Sequence, residues 1–71
     1  MSPEVFSFIV YIIHACANRW DKSPSFVYHI LKRSDCIKKY LTDNYDIAHT
    51  LGTDTIVDDV QKYLSVRGIT I

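Results

Sequence analysis

Glycine, proline and cysteine each occur only twice in this 71-residue chain, and methionine and tryptophan once each. So little glycine and proline excludes collagen-like, low-complexity and Gly/Pro-rich disordered classes. Two cysteines are too few for a disulfide scaffold, so Cys16 and Cys36 read as free, mostly buried thiols. Net charge is also lacking. Eight basic residues meet eight acidic ones, so no overall field points to nucleic acid or an anionic membrane. The longest apolar run, Val5 to Ala17, is 13 residues, short of the roughly 20 that a bilayer-spanning helix needs. No basic segment or cleavage site stands before Val5, so the expectation is a cytoplasmic, reducing setting without a signal peptide or membrane contact. Repeats and linkers are absent as well.

What the chain does have is apolar mass: 48% of its residues are hydrophobic and 13% aromatic. That excludes disorder. It fits one domain over residues 1–71, near the size at which a single core only just suffices. Such a chain needs either a very apolar core or a partner.

Helical punctuation divides it. Ser2-Pro3-Glu4 is a helix start, with a Ser cap, Pro in the first turn and an acid behind it. Polar residues in this first helix (Glu4, Ser7, Tyr11, His14, Asn18) are spaced 3, 4, 3, 4 and so form one narrow stripe. The remaining cylinder wants burial on nearly every side. Asp21-Lys22 makes a turn, and Ser23-Pro24 repeats the capped start for a second helix with Phe26, Val27, Ile30 and Leu31 inward, ending near Arg33. Ser34 or Asp35 caps a shorter third helix with Ile37, Tyr40 and Leu41 inward, ended by Asp43-Asn44. Tyr45 to Gly52 reads as a tight turn with a short helical or extended piece, closed by Gly52. The last helix starts at Thr53 or Asp54 and carries Ile56, Val57, Val60, Tyr63, Leu64 and Arg67 on one side, with Asp58, Asp59, Gln61 and Lys62 outward. Gly68 suits its C-terminal cap, and Ile69 to Ile71 form a β-branched tail that packs or pairs. The expected fold is all-α, a bundle of about four helices around the apolar first one.

Charge is polarised along the chain. Residues 19–39 hold six basic against two acidic groups, and residues 43–71 hold five acidic against two basic. Such a map suits head-to-tail or heterotypic contacts, and solvated helix faces produce it equally.

Chemistry is scarce. His14, Cys16, His29, Cys36 and His49 are able to ligate metal, but none stands at a paired spacing such as C-x2-C or H-x3-H, so no metal is expected. Asp46 and His49, three apart, could be the outer pair of a catalytic triad. No nucleophile signature accompanies them, and a local structural network explains both residues. Gly52 and Gly68 are isolated, so no phosphate loop and no cofactor are expected. Lys32, Arg33, Lys38 and Lys39 could touch phosphates from a helix-turn-helix. Against that, the third helix has only about two turns and no Asn, Gln or Arg cluster for base edges.

The stretch IKKYLTDNYDIAHTLGTDTIVDDVQKYL from Ile37 onward resembles a family of small bacterial proteins carrying a domain of unknown function. Its pattern is Tyr-Leu, a spacer, Tyr-Asp-aliphatic-x-His-Thr-x-Gly, then Val-x-Asp-aliphatic-x-x-Tyr-Leu. The matching residues are Tyr40, Leu41, Tyr45, Asp46, Ile47, His49, Thr50, Gly52, Val57, Asp59, Val60, Tyr63 and Leu64. Ser25 to Leu31 and the apolar first helix are also similar, while Ala48 departs from a larger aliphatic. The resemblance implies a non-enzymatic module encoded beside an ADP-ribosyltransferase-like protein, in a toxin–antitoxin or accessory arrangement. It carries over no catalytic residue.

The leading expectation is therefore a protein-interaction module that pairs with another protein or with itself, as a homodimer or heteromer. A DNA-binding regulator using residues 32–39 is the alternative, and an enzyme using Asp46 and His49 a third. Phe6, Ile9, Val10, Ile13 and Trp20 are the candidate interface, in a closed two-fold dimer if self-paired. Tyr45, Asp46, His49, Thr50, Gly52 and Asp59 form the motif, structural or partner-binding. As a buried knot, its His49→Ala variant would lose about 1–3 kcal/mol.

Overall fold

Ser2 opens the first helix by accepting a hydrogen bond from the Val5 amide at 3.3 Å, and Ser23 opens the second by accepting from Phe26 at 3.1 Å. Each cap is followed by a proline, whose missing N–H costs nothing in a first turn. The computed structural model describes residues 2–71, and its elements are α1 (Pro3–Trp20), α2 (Pro24–Arg33), a π-helical segment (Ile37–Thr42), α3 (Tyr45–Ala48) and α4 (Thr53–Val66). No strand occurs among the described residues. The protein is all-α.

The hub is α1, which packs against α2, α4 and the π-helical segment. Ile12, Cys16, Val27, Leu31, Leu41, Val60 and Leu64 are fully buried where these elements meet. No described helix is long and apolar enough to cross a membrane. Across the α1–α4 seam, Arg19 reaches Asp58 at 2.7 Å and Asp54 at 3.2 Å, and Tyr11 meets Thr53 at 2.7 Å. Thus one cation of the basic stretch already answers two carboxylates of the acidic one.

Several local expectations need correction. Ile37–Thr42 is a π-helix, with the Asp43 amide donating to Lys38 five residues back at 2.9 Å. Neither Ser34 nor Asp35 caps it. The Ser34 hydroxyl donates backward to the Leu31 carbonyl, and Asp35 is left-handed at φ 65°. Tertiary bonds from α4 meet this segment and the turn before it: Tyr40 donates to Asp59 at 2.9 Å, and Tyr63 donates to the Ser34 carbonyl at 3.0 Å. Asp59, expected outward, is therefore half-buried, and Phe26, expected inward, is 41% exposed.

Tyr45–Ala48 is the helical option for the ambiguous stretch, and Phe8 of α1 meets the Tyr45 ring edge-on at 5.4 Å. Gly52 takes the N-cap position of α4 in ordinary extended backbone, with open space where a Cβ would stand. Gly68 is different: at φ 76° it closes α4, with the Gly68 amide bonding Ser65 and the Ile69 amide bonding Leu64. The tail then packs, with Ile69 and Ile71 against the core.

Candidate interaction surface

The five residues expected at an interface separate in the structure. Ile9 and Ile13 are 5% and 8% exposed, within the core cluster that α1 forms with its neighbours. They belong to the core. Trp20 is half-buried against that core, with its indole N–H enclosed and without a partner among the described residues. Only Phe6, 60% exposed, and Val10, 37% exposed, remain available.

Phe6 does not stand alone. It lines a groove of about 340 Å³ together with Tyr28 of α2, the buried Ile9 and the half-buried Ile37. Lys32, Asp35 and Lys38 line the rim. The Lys32 ammonium sits 5.8 Å from the centre of the Tyr28 ring, one helical turn away. Three elements build this groove: the first turns of α1, the exposed side of α2, and the start of the π-helical segment. The left-handed turn at Asp35 brings the last two together. Sequence reasoning finds Phe6, Ile9, Lys32 and Lys38 but misses Tyr28 and Ile37. The available signal is the Tyr28/Lys32 spacing of four on a face about 100° around from Val27 and Leu31.

A second cleft, about 510 Å³, lies between α1 and the start of α4, lined by Tyr11, His14, Asn18, Arg19, Thr53 and Asp54. Its two hydroxyls bond each other across the seam, and its guanidinium donates to the Asp58 and Asp54 carboxylates.

The motif is laid out in two layers. Tyr40 and Asp59 interlock beneath, with Tyr63 stacked beside Tyr40 and the Arg67 guanidinium 3.5 Å from the centre of the Tyr63 ring. Burial, then the Asp59 carboxylate beside it, pushes the Tyr40 hydroxyl up to about 12. Above, Asp46, His49 and Thr50 are exposed. The ring of His49 stacks on Tyr45 at 4.5 Å, its Nδ1 lies 2.6 Å from the Tyr45 carbonyl, and Thr50 donates to the Ile47 carbonyl. Asp46 and His49 are not hydrogen-bonded to each other, and the His49 Nδ1 faces the backbone. The expected buried knot is instead a solvated set of local bonds. His49→Ala is accordingly expected to lower stability by no more than about 1 kcal/mol in urea titration; a loss of several kcal/mol would restore the buried reading.

The remaining chemistry is dispersed. Both thiols are fully buried, and desolvation raises each to about 12, with Cys16 adding to the effect at Cys36. Neither is a ready thiolate. Among the described residues no three of His, Cys, Asp and Glu cluster as a metal site would require. Of the four basic residues proposed for phosphate contact, Lys32 and Lys38 share the groove rim, while Arg33 and Lys39 do not line it. The element following that turn is a six-residue π-helix, shorter than a major-groove reading helix.

A family model described as a protein of unknown function, DUF3791, matches residues 7–67. The chain belongs to this family. No curated protein and no solved structure matches it. The DUF3791 match takes in every groove residue except Phe6, which lies one position before it, and both layers of the motif.

Proposed function

We propose that this DUF3791 domain is a non-enzymatic protein-interaction module, and that the groove between α1, α2 and the π-helical segment seats its protein partner. One observation carries the reading. Phe6 and Tyr28, 60% and 40% exposed, line one groove together with Ile9 and Ile37, which the fold has already wholly or half buried. Aromatic anchors over a formed apolar floor are the usual energetic centre of a protein interface. The Asp46 and His49 side chains, unbonded to each other, support a module without catalysis. The finer reading is an antitoxin-like or accessory partner of a toxin-type enzyme, of the ADP-ribosyltransferase-like kind that the resemblance places beside such chains.

Co-expression with the product of the adjacent gene tests this. The two proteins are expected to co-elute in size exclusion. Phe6→Glu should abolish co-elution, while Phe26→Glu, a comparably exposed aromatic outside the groove, should leave it intact. A complex indifferent to Phe6→Glu removes the groove from the proposal, and absence of any complex removes the toxin-type partner.

A further inference from the structure

We propose that the groove also accepts a second copy of this chain, docked head-to-tail through the α3 knob formed by Ile47, Leu51, Asp43 and Asp46. The inference rests on the groove reading above and names one occupant for it. Its basis is that this chain carries both halves of a complementary contact.

The groove is apolar inside and predominantly basic at its rim, where Lys32 and Lys38 outnumber Asp35. The knob inverts that charge. Ile47 in α3 is 67% exposed and Leu51, in the bend that follows it, 39%, while Ala48 is the α3 side chain that points into the fold. Asp46 precedes Ile47 in α3 and Asp43 closes the π-helical segment just before it, both exposed, and no lysine or arginine occurs from Tyr40 to Gln61. Among the described residues neither Lys32 and Lys38 nor Asp43 and Asp46 have an ionic partner, since the ion pairs belong to Arg19. Two exposed aliphatic side chains flanked by free carboxylates therefore match an aromatic-walled groove flanked by free ammonium groups.

The same charges decide the symmetry. A two-fold pairing of groove on groove would set Lys32 and Lys38 against their own copies, and like charges brought together oppose association. Groove on knob avoids this. Such a contact is heterologous, so each added copy still presents one open groove or knob, unless the rotation closes a ring.

Sedimentation from micromolar to millimolar concentration tests the proposal. The wild-type chain is expected to grow in mass with concentration. K32E/K38E makes both surfaces acidic, and D43K/D46K makes both basic. Each variant alone is expected to associate about tenfold more weakly or worse. An equimolar mixture should assemble again, since each groove then meets a knob of opposite charge. Far-UV circular dichroism of each variant establishes that these surface changes leave it folded. A wild type that stays monomeric throughout overturns self-docking and leaves the groove to be judged by the adjacent-gene experiment. Association that survives in either variant alone, or fails to return in the mixture, overturns the knob-in-groove geometry.

Discussion

Raising the pH from 9 towards 12 is expected to unfold this protein, and the two buried thiols are the main cause. Cys16 and Cys36 are both fully enclosed, and burial moves each from 9.0 to about 12. Over that interval the native state keeps two thiol protons that the unfolded chain has released. Stability therefore falls as pH rises: it is complete below pH 9 and lost as pH climbs through the folded values. Each retained proton costs about 1.4 kcal/mol per tenfold rise in hydroxide, so the pair removes several kcal/mol across this range. A domain of this size has only about 4–10 kcal/mol to lose. Tyr40, raised in the same direction, adds to the effect above pH 10. Urea midpoints measured at a series of alkaline pH values check this. Cys16→Ala with Cys36→Ala should be less stable at neutral pH yet decline less steeply above pH 9. An identical alkaline slope in the variant would clear the thiols of responsibility.

Leu41→Ala is expected to cost about 3 kcal/mol, a large fraction of the total. Leu41 is fully buried and is the one side chain of the π-helical segment wholly inside the core. Removing it leaves a cavity and loosens the element that carries the Tyr40–Asp59 bond. Ile47→Ala, six residues on but 67% exposed, should change stability by less than about 0.5 kcal/mol. Denaturant midpoints of the two variants decide the matter. Similar values would show that the burial assigned to Leu41 is wrong.

These residues also show where sequence is informative. Ser2-Pro3 and Ser23-Pro24 declare helix starts because an N-cap is a local event, complete within four residues. Gly68 declares a helix end for the same reason. The π-helix at Ile37–Thr42 gives no local sign, and its tertiary bond runs from Tyr40 to Asp59 of α4, 19 residues on. The motif around His49 looks like a buried network because polar density and flanking aliphatics are the same whether or not anything covers them. In the fold nothing does, and Ile47 and Leu51 stay in solvent. The groove is half legible: Phe6 stands out on an over-apolar helix, but Tyr28 and Ile37 become its neighbours only once α2 and the π-helical segment are folded together.

Asp21 and Asp35 stand on either side of α2, at φ 55° and 65°. Left-handed backbone costs an ordinary L-residue about 1–2 kcal/mol, less for Asp and Asn and least for Gly. A glycine at either place would relieve that strain while giving the unfolded chain more freedom to lose, so the two effects largely offset. Evolutionary drift at both positions is thus open among Asp, Asn and Gly and closed to Val, Ile and Thr, whose branched Cβ resists this conformation. Backbone geometry, rather than the solvent that both side chains face, sets the permitted alphabet at the two ends of α2.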